Sequence, residues 1–518
     1  MAEPICPRHV LRDLINDYFT FIHPVIPIPH EASFRHKFET CEYPYSGTFL
    51  ELIASMVACL TSCFPRRPRH HLKYHNLEHM FPSSRDLIEK CQNVRQAAHG
   101  PATHNREYSV HDAMISYLQG ATNVSTFQRD PAILYFKECL AIIVSLGLHA
   151  SEPRRGLNGV PRSNGSQLAA SQPMPTSLID QEMATRVFWL SFASVKSLEQ
   201  LGVRPIALSI PPSTKSTPWP RHPAEVDDRY IYPQEISDQP ENIISEMVGF
   251  NINIRLFASY DAISQRELCS GVDELVDWEA QRKEIKESLN RVKEELRHLP
   301  PYFQLGAGQF HGDFVLQPPP TYPDPEAGRP TGNPIHVEAP PYEDPRTMML
   351  NIQKANIHAT QLSTRSYLIE KYFNLRDAYR GPQSHRSPTS VAPSDDFDIL
   401  MNKEFDEINT ELLHMISTIE MIHMEPNGSS LIHKIRSIAV TLLEPKAPMP
   451  EAKSQTYLRN FISILSKLEK TMPASHENNE DDEEIKLGQW ANLREEQAKF
   501  LGVGGFQGQG TTWVDRKI

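Results

Sequence analysis

The sequence lacks the features that mark secreted, membrane-spanning and disulfide-stapled proteins. Its best apolar run, residues 139–148, is far shorter than the roughly 20 residues that a bilayer span requires. Residues 1–10 hold no apolar core of the length that a signal peptide needs. The seven cysteines are scattered, and no Cys-x-x-Cys pair occurs. The thiols are therefore predicted to be reduced and mostly buried, in a cytosolic or nuclear protein without membrane partners.

The sequence also lacks the motifs of common enzyme classes and any excess of positive charge. It contains no His-Glu-x-x-His, Gly-x-Ser-x-Gly or Walker phosphate-binding motif. It carries 52 Lys and Arg against 64 Asp and Glu, a formal net charge of -12. Because affinity for DNA comes largely from basic residues that neutralise phosphates, this balance argues against strong intrinsic DNA binding. We predict no catalytic residues, identify no cofactor-binding residues and expect that the chain is not an enzyme.

What the sequence does contain is helical periodicity broken by proline. Hydrophobic residues make up 39% of the chain, and 43 of the 518 residues are proline. No segment combines period-two alternation with hairpin turns, and no βαβ unit appears. We predict an all-α fold, a large multi-helix domain with long Pro-rich loops. The predicted helices cover residues 10–22, 49–60, 84–94, 110–118, 130–147, 178–201, 243–268, 272–298, 347–373, 402–424, 431–443 and 457–468.

Composition divides the chain into four parts. Residues 1–300 are predicted to form the main helical domain, and residues 301–346 a long Pro-rich loop. Residues 347–470 are predicted to be the C-terminal helical part of the same body. Residues 471–518 form an acidic and Gly-rich tail.

Residues 18–38, YFTFIHPVIPIPHEASFRHKF, hold three prolines with apolar residues between them and aromatic residues on both sides. Pro24, Pro27 and Pro29 are predicted to force an extended strap after the first helix, because proline fixes φ and removes a backbone donor. The apolar residues between the prolines can hold this strap against the helices, and Phe34 anchors the turn that follows.

Two other segments have the pattern of a helix. Residues 135–150, YFKECLAIIVSLGLHA, end a helix with Gly147, which suits a C-terminal position of positive φ. A later segment, QKANIHATQLSTRSYLIEKYF, begins at Gln353 and has the pattern of a further helix.

Residues 186–212, RVFWLSFASVKSLEQLGVRPIALSIPP, form one more segment, which lies between residues 135–150 and Gln353. Phe188 and Trp189 are predicted to lie in the core near the start of a helix. Arg204 and Pro205 occupy the turn that follows this helix.

In the chain order 18–38, 135–150, 186–212 and the segment from Gln353, the four segments closely resemble the fungal-specific transcription factor domain. That domain is the middle homology region of zinc-binuclear-cluster (six-cysteine) regulators. The resemblance covers roughly residues 9–300 and, more loosely, residues 347–470. Lys196 departs from the family pattern, which usually has Asp there, and the turn at 202–205 has one extra residue. The signature residues that carry the resemblance are His23, Pro24, Pro27, Phe34, Gly147, Phe188, Trp189, Arg204 and Pro205.

The resemblance implies a nuclear, helical regulatory domain that controls RNA polymerase II transcription and reaches DNA only indirectly or through a separate module. Metabolic genes are the implied targets, other transcription regulators or coactivators the implied partners, and a small molecule the implied effector. The six clustered cysteines of the family's DNA-binding module are missing. Zinc and direct DNA binding are therefore expected only if such a module is encoded upstream; otherwise the protein acts through partners.

Two alternatives remain open at the sequence level. The chain could be a helical protein-interaction scaffold with no direct role in transcription. It could also be a metal protein, because His71, His75 and His79 are spaced four apart and would share one face of a helix. Pro65 and Pro68 favour a solvated loop there instead. We further hypothesise an effector cavity between the helices near 133–148 and 186–202, where large apolar residues are dense.

Overall fold

The structure is a computed structural model that describes residues 4–40, 46–99, 107–149, 177–306, 344–381, 396–443 and 449–469. Within these ranges the chain is helical, and its β-structure is limited to one isolated bridge between Ile231 and Ile236. The predicted all-α fold is therefore confirmed. The predicted tail at 471–518 and most of the predicted loop at 301–346 lie outside the described residues.

The described residues among the first 200 form eight helices. A π-helical turn, Tyr18–Ile22, continues the first of them. The helices are α1 (Arg8–Asp17), α2 (Glu31–Glu39), α3 (Gly47–Cys63), α4 (Arg66–Tyr74), α5 (Ser84–Ala98), α6 (Val110–Ser125), α7 (Arg129–Ser145) and α8 (Leu178–Gln200).

Eight more helices follow, after a largely irregular segment that contains the 3-10 turn Asp228–Tyr230. They are α9 (Glu246–Ala258), α10 (Asp261–Ser270), α11 (Trp278–Arg297), α12 (Pro345–Arg380), α13 (Asp396–Thr418), α14 (Met421–Met424), α15 (Gly428–Thr441) and α16 (Glu451–Glu469).

Helix α3 is the centre of the N-terminal packing. The Ser46 side chain accepts a hydrogen bond from the backbone N–H of Phe49 and so caps the helix start. Nearly every residue from Phe49 to Cys63 is buried, as expected for a helix that is apolar all round. It packs against α5 and α6, and α6 in turn packs against α7 and α8.

Helix α12 is the centre of the packing of the later helices. It runs for 36 residues and packs against α9, α11, α13 and α15. Helix α15 also contacts α3 and α6, and the hydroxyls of Ser125 and Ser429 are 3.2 Å apart at that contact. The C-terminal helices therefore pack directly on the N-terminal ones.

Several predicted boundaries are wrong, for identifiable reasons. The predicted helix 243–268 is broken between α9 and α10. At the break, Arg291 Nε donates a hydrogen bond to the Ser259 carbonyl at 2.8 Å, and the Tyr260 hydroxyl donates to the Lys196 carbonyl at 2.9 Å. The first bond satisfies the Ser259 carbonyl, which a continuous helix would pair internally. The predicted helix 402–424 likewise ends at Thr418, before the short α14.

Two segments predicted as loops are helical. Residues 375–380 belong to α12, whose C-terminal end is held by ion pairs from Arg376 and Arg380 to Asp398 at 3.3 and 2.6 Å. Pro65 and Pro68 precede and open α4. Both lie at the N-terminal end of that helix, where backbone N–H groups have no intrahelical acceptor and proline is tolerated.

No single described helix has both the length and the apolar character needed to cross a membrane. By length and composition alone, α3 and α4 pass such a test as a pair bent by 108°.

Candidate functional site

The strap, residues 23–30, leaves the π-helical turn and crosses the ends of several helices. The Tyr18 hydroxyl donates a 2.7 Å hydrogen bond to the Ile28 carbonyl, and the Ile28–Pro29 peptide bond is cis. Ile26 and Ile28 are buried in the core. Phe34, one of the signature residues, packs between the rings of Phe19 and Phe49. The predicted attachment through apolar residues is therefore confirmed, but the first part of the strap is not extended as predicted. The N–H groups of Val25 and Ile26 bond back to the Ile22 carbonyl at 2.9 and 2.8 Å and form a turn.

His23 is buried at the start of the strap and has an acceptor on each ring nitrogen. Its Nδ1 is 2.9 Å from Glu246 Oε1, and its Nε2 is 3.0 Å from the Pro29 carbonyl oxygen. A carbonyl oxygen only accepts, and an ionised carboxylate only accepts, so both nitrogens must donate and the ring is an imidazolium. Burial by itself lowers the pKa of His23, but the charges of Glu246 and Asp228 outweigh it and raise the pKa to about 9.

Arg186 links the strap to helix α8 and to the 3-10 turn. Its guanidinium Nη2 is 2.7 Å from Asp228 Oδ1, and its Nη1 donates to the Pro27 carbonyl at 3.3 Å. The Asp228 Oδ2 accepts the backbone N–H of Glu31 at 2.7 Å. Burial tends to raise the pKa of Asp228, but Arg186, His30 and His23 lower it to about 2.

Together His23, Arg186, Asp228 and Glu246 form a buried ionic cluster. A third buried carboxylate, Glu182, lies 3.8 Å from Arg186 and is paired with Arg221 at 3.1 Å. The His23 Nε2 is 3.9 Å from Asp228 Oδ2, which joins the two ion pairs. Balanced charge and added backbone hydrogen bonds are what a buried cluster of this kind requires. The cluster therefore fixes the strap against α8, the 3-10 turn and α9.

Gln353 extends the same connection to helix α12. Its side-chain amide donates to the Pro24 carbonyl at 2.9 Å and to the Glu246 carbonyl at 2.7 Å. Three of the four segments that carry the sequence pattern thus meet at the strap, although Gln353 lies 329 positions from Pro24.

The ionic cluster also has the composition of a metal site, but its protonation argues against one. Among the described residues, His23, Asp228 and Glu246 have donor atoms within 4.8 Å of one another. A histidine must present a nitrogen lone pair to bind a metal. Both nitrogens of His23 instead hold protons toward acceptors, and Arg186 already neutralises Asp228. The geometry fits an ion-paired cluster better than a metal centre.

The structure does not place His71, His75 and His79 on one helical face. Helix α4 ends at Tyr74, so His75 is the residue after the helix and His79 lies beyond it in an exposed turn. The alternative of three histidines on one helical face is therefore not supported, because the helix ends five residues before His79. His71 and His75 instead face Asp17 and Asp13 of α1, at 2.8 and 3.1 Å.

Phe188 and Trp189 are buried, as predicted, in an aromatic cluster. The Trp189 indole donates to the Arg221 carbonyl at 2.9 Å, and its ring contacts the rings of Phe192 and Trp219 edge-on. Trp219 lies in the segment predicted to be irregular, and no sequence periodicity marks its role in the core.

Helices α7 and α8, between which we hypothesised an effector cavity, are in direct contact at one point. The Cys139 sulfur is 3.4 Å from the Ser191 hydroxyl across this interface. A cavity of about 150 Å³ lies instead near the first turn of α8, against the strap and helices α2, α3 and α6. Its lining includes Pro29, His30, Phe34, Phe49, Met114 and Met183.

The remaining signature residues occupy helix ends. Gly147 has a φ of 71°, and its N–H bonds back to the Val144 carbonyl at 3.0 Å, which confirms the predicted C-terminal position. Arg204 is exposed in the turn after α8, and its carbonyl accepts from the Ala207 N–H at 2.8 Å. Pro205 is buried beside it.

Lys196, the departure from the family pattern, is buried with its own counter-ions. Its ammonium is 3.0 Å from Asp261 on α10 and 3.3 Å from Glu199 on α8. It also lies over the rings of Phe192 and Tyr260. The charge at this position is opposite to the one expected from the family pattern, and the sequence alone did not indicate Asp261 as its partner.

Comparison of the chain with protein-family models, with curated proteins and with solved structures finds no match in any of the three.

Proposed function

We propose that this chain is the regulatory part of a fungal transcription regulator, acting in the nucleus on RNA polymerase II transcription of metabolic genes. The supporting observation is the meeting of separate sequence segments at one buried cluster. The strap carbonyl of Pro27 accepts from Arg186, and that of Pro24 accepts from Gln353. These residues come from three of the four segments that resemble the fungal-specific domain. Because these segments pack together, they belong to one structural unit, which supports reading them as parts of one domain.

The cavity beside the strap supports a regulatory role for the same region. At about 150 Å³ it is comparable to engineered cavities that accept benzene-sized molecules. Pro29 and His30 line it, and the His30 Nε2 is 2.8 Å from the Asp228 carbonyl oxygen. An effector in this cavity would therefore touch the strap next to the ionic cluster. Regulation follows if the occupied and empty states hold the strap differently.

The net charge of the chain favours indirect contact with DNA. A formal net charge of -12 gives no general attraction to DNA phosphates. We propose that other regulators or coactivators are the direct partners, and that DNA is contacted through them or through a separate zinc-cluster module.

Tethering to a promoter tests this proposal with the full chain. The chain is fused to an unrelated DNA-binding module in a fungal cell that carries a reporter with the matching operator. We expect nuclear accumulation of the tagged, unfused chain and a change in reporter transcription of at least several-fold with the fusion. The DNA-binding module alone and a reporter without the operator are the controls.

The opposite result would favour the scaffold alternative. If the full-length, folded chain stayed outside the nucleus and the fusion left the reporter unchanged, the proposed role in transcription would be wrong. A helical protein-interaction function without transcription would then be the better interpretation.

A further inference from the structure

Acidic residues of α1 and basic residues of α4 form a ladder where the two helices pack. Asp13 and Asp17 are one turn apart on α1, and Arg67, His71 and His75 follow the same four-residue spacing on and just after α4. Asp17 contacts Arg67 and His71, while Asp13 contacts His75. The α1–α4 contact therefore brings two imidazoles and two carboxylates to one edge of the molecule.

Asp17 sets the orientation of the His71 ring. Two hydrogen bonds from Arg67, at 2.8 and 3.0 Å, hold the buried Asp17 carboxylate in place. Its Oδ2 is 2.8 Å from His71 Nε2, so that nitrogen donates and the neutral ring has its lone pair on Nδ1. This Nδ1 faces Asp13 Oδ2 at 3.9 Å. Metal-binding histidines commonly donate their second nitrogen to a carboxylate in this way.

His75 supplies a third donor beside Asp13. Its Nε2 donates to Asp13 Oδ2 at 3.1 Å, so a metal ion would displace this proton when it binds. The two atoms are close to the separation of about 3.3 Å between two ligands of one tetrahedral zinc ion. The His9 ring packs edge-on against His75 with centroids 4.7 Å apart. The side chains of His71, His75 and Asp13 are 16%, 20% and 36% exposed, so water has access to the site.

We propose that Asp13, His71 and His75 form an open site for a divalent transition-metal ion of the zinc class. Two imidazoles and one carboxylate are a ligand set that zinc accepts, with water in the fourth position. The three donors are more widely spread than those around His23, so binding requires a rotation of the His75 side chain. His75 lies after the last residue of α4, where such a rotation leaves the helix intact. The site is independent of any role in transcription.

Calorimetric titration of the metal-stripped full chain with Zn²⁺ tests the site, with Co²⁺ absorption as a second readout. We expect about one equivalent to bind and Co²⁺ to give the visible bands of a tetrahedral complex. His75→Ala and Asp13→Asn should each weaken Zn²⁺ binding at least ten-fold. Asp17→Asn, which removes the carboxylate that orients His71, should weaken it about 10- to 100-fold. Circular dichroism of each variant verifies that the helices remain.

His70→Ala and His79→Ala are the matched controls. Both residues are exposed in the same segment and lie outside the ligand set, so both variants should bind Zn²⁺ like the parent. If the parent bound no stoichiometric Zn²⁺, or if His75→Ala bound as well as the parent, the proposed site would be wrong. Equal losses from His79→Ala and His75→Ala would also overturn it, because they would indicate unspecific binding by exposed histidines.

Discussion

His23 and Glu246 are 223 positions apart in the sequence, yet Nδ1 of His23 lies 2.9 Å from Oε1 of Glu246 inside the protein. The histidine is 2% exposed, so water screens this pair very little. The Pro29 carbonyl occupies the other ring nitrogen and keeps the ring doubly protonated. An intact buried ion pair is weak evidence for net stability, but removal of one partner leaves a buried charge without compensation.

We expect His23→Ala to destabilise the fold by about 3–5 kcal/mol at neutral pH. The change removes the cation that faces Glu246 and leaves the Pro29 carbonyl without its donor. Urea unfolding followed by circular dichroism measures the effect. His36→Ala, on the exposed face of α2, is the control and should change stability by less than about 0.5 kcal/mol. A cost for His23→Ala as small as that of His36→Ala would contradict the ionic cluster.

The same pair predicts a pH dependence of stability. The pKa of His23 is raised to about 9 in the folded protein by Glu246 and Asp228, against burial, from an ordinary value of 6.5. Because the folded pKa is the higher one, the stabilisation is fully present below pH 6.5 and is lost as pH rises through about 9. The shift corresponds to about 3 kcal/mol.

Comparison with His23→Gln isolates this contribution. The difference in unfolding free energy between the parent and His23→Gln should be largest near pH 6 and should shrink steadily toward pH 10. Groups whose pKa does not depend on His23 cancel, among them Asp227, whose pKa burial raises to about 6. Glu246 does not cancel, because burial raises its pKa and His23 lowers it, so its titration forms part of the measured difference. A difference that stayed constant from pH 6 to pH 10 would show that His23 is neutral in the folded protein.

The sequence predicted the strap but not its partners, because the two depend on different information. Proline acts on its own backbone, so Pro24, Pro27 and Pro29 predict the end of a helix and an extended segment locally. The ion pairs of His23 and Arg186 depend on tertiary packing. Their carboxylates come from irregular chain and from a helix start, where no periodicity distinguishes them from solvated residues.

The histidine spacing suggested an arrangement that the fold does not have. Spacing of four places His71, His75 and His79 on one face only while a helix continues, and α4 ends at Tyr74. The carboxylates that face His71 and His75, those of Asp13 and Asp17, come from α1. Asp17 precedes Arg67 of α4 by 50 positions. Which helix packs against α4 is a property of the whole core and is not encoded in the local pattern.

Lys434 is buried on α15 without an ion-pair partner among the residues that the structure describes, and its replacement should stabilise the fold. Its ammonium donates to Asn356 at 3.0 Å and to Thr360 at 2.7 Å, and burial lowers its pKa to about 7 from 10.5. The folded pKa is the lower one, so the charged lysine destabilises the fold fully below pH 7, and this penalty disappears as pH rises to 10.5.

Lys434→Met should therefore raise the unfolding free energy most at pH 6, by about 1–3 kcal/mol, and progressively less toward pH 10.5. Part of the gain is offset because Asn356 and Thr360 lose a donor. Urea unfolding at several pH values measures the trend, and Lys73→Met on the exposed face of α4 is the matched control. Equal stability of parent and Lys434→Met at pH 6 would contradict an uncompensated buried charge.

Trp189 allows the packing and the hydrogen bond of one core residue to be separated. The indole is 3% exposed, contacts Trp219 and donates to the Arg221 carbonyl at 2.9 Å. Trp189→Ala should cost about 3–5 kcal/mol, because it removes the ring and leaves a cavity. Trp189→Phe keeps an aromatic ring but removes the donor, so it should cost about 1–3 kcal/mol. Urea unfolding compares the two with Leu134→Ala, whose side chain is 64% exposed and whose removal should have little effect. Equal costs for Trp189→Ala and Trp189→Phe would mean that the hydrogen bond, and not the packing of the ring, determines the contribution of Trp189.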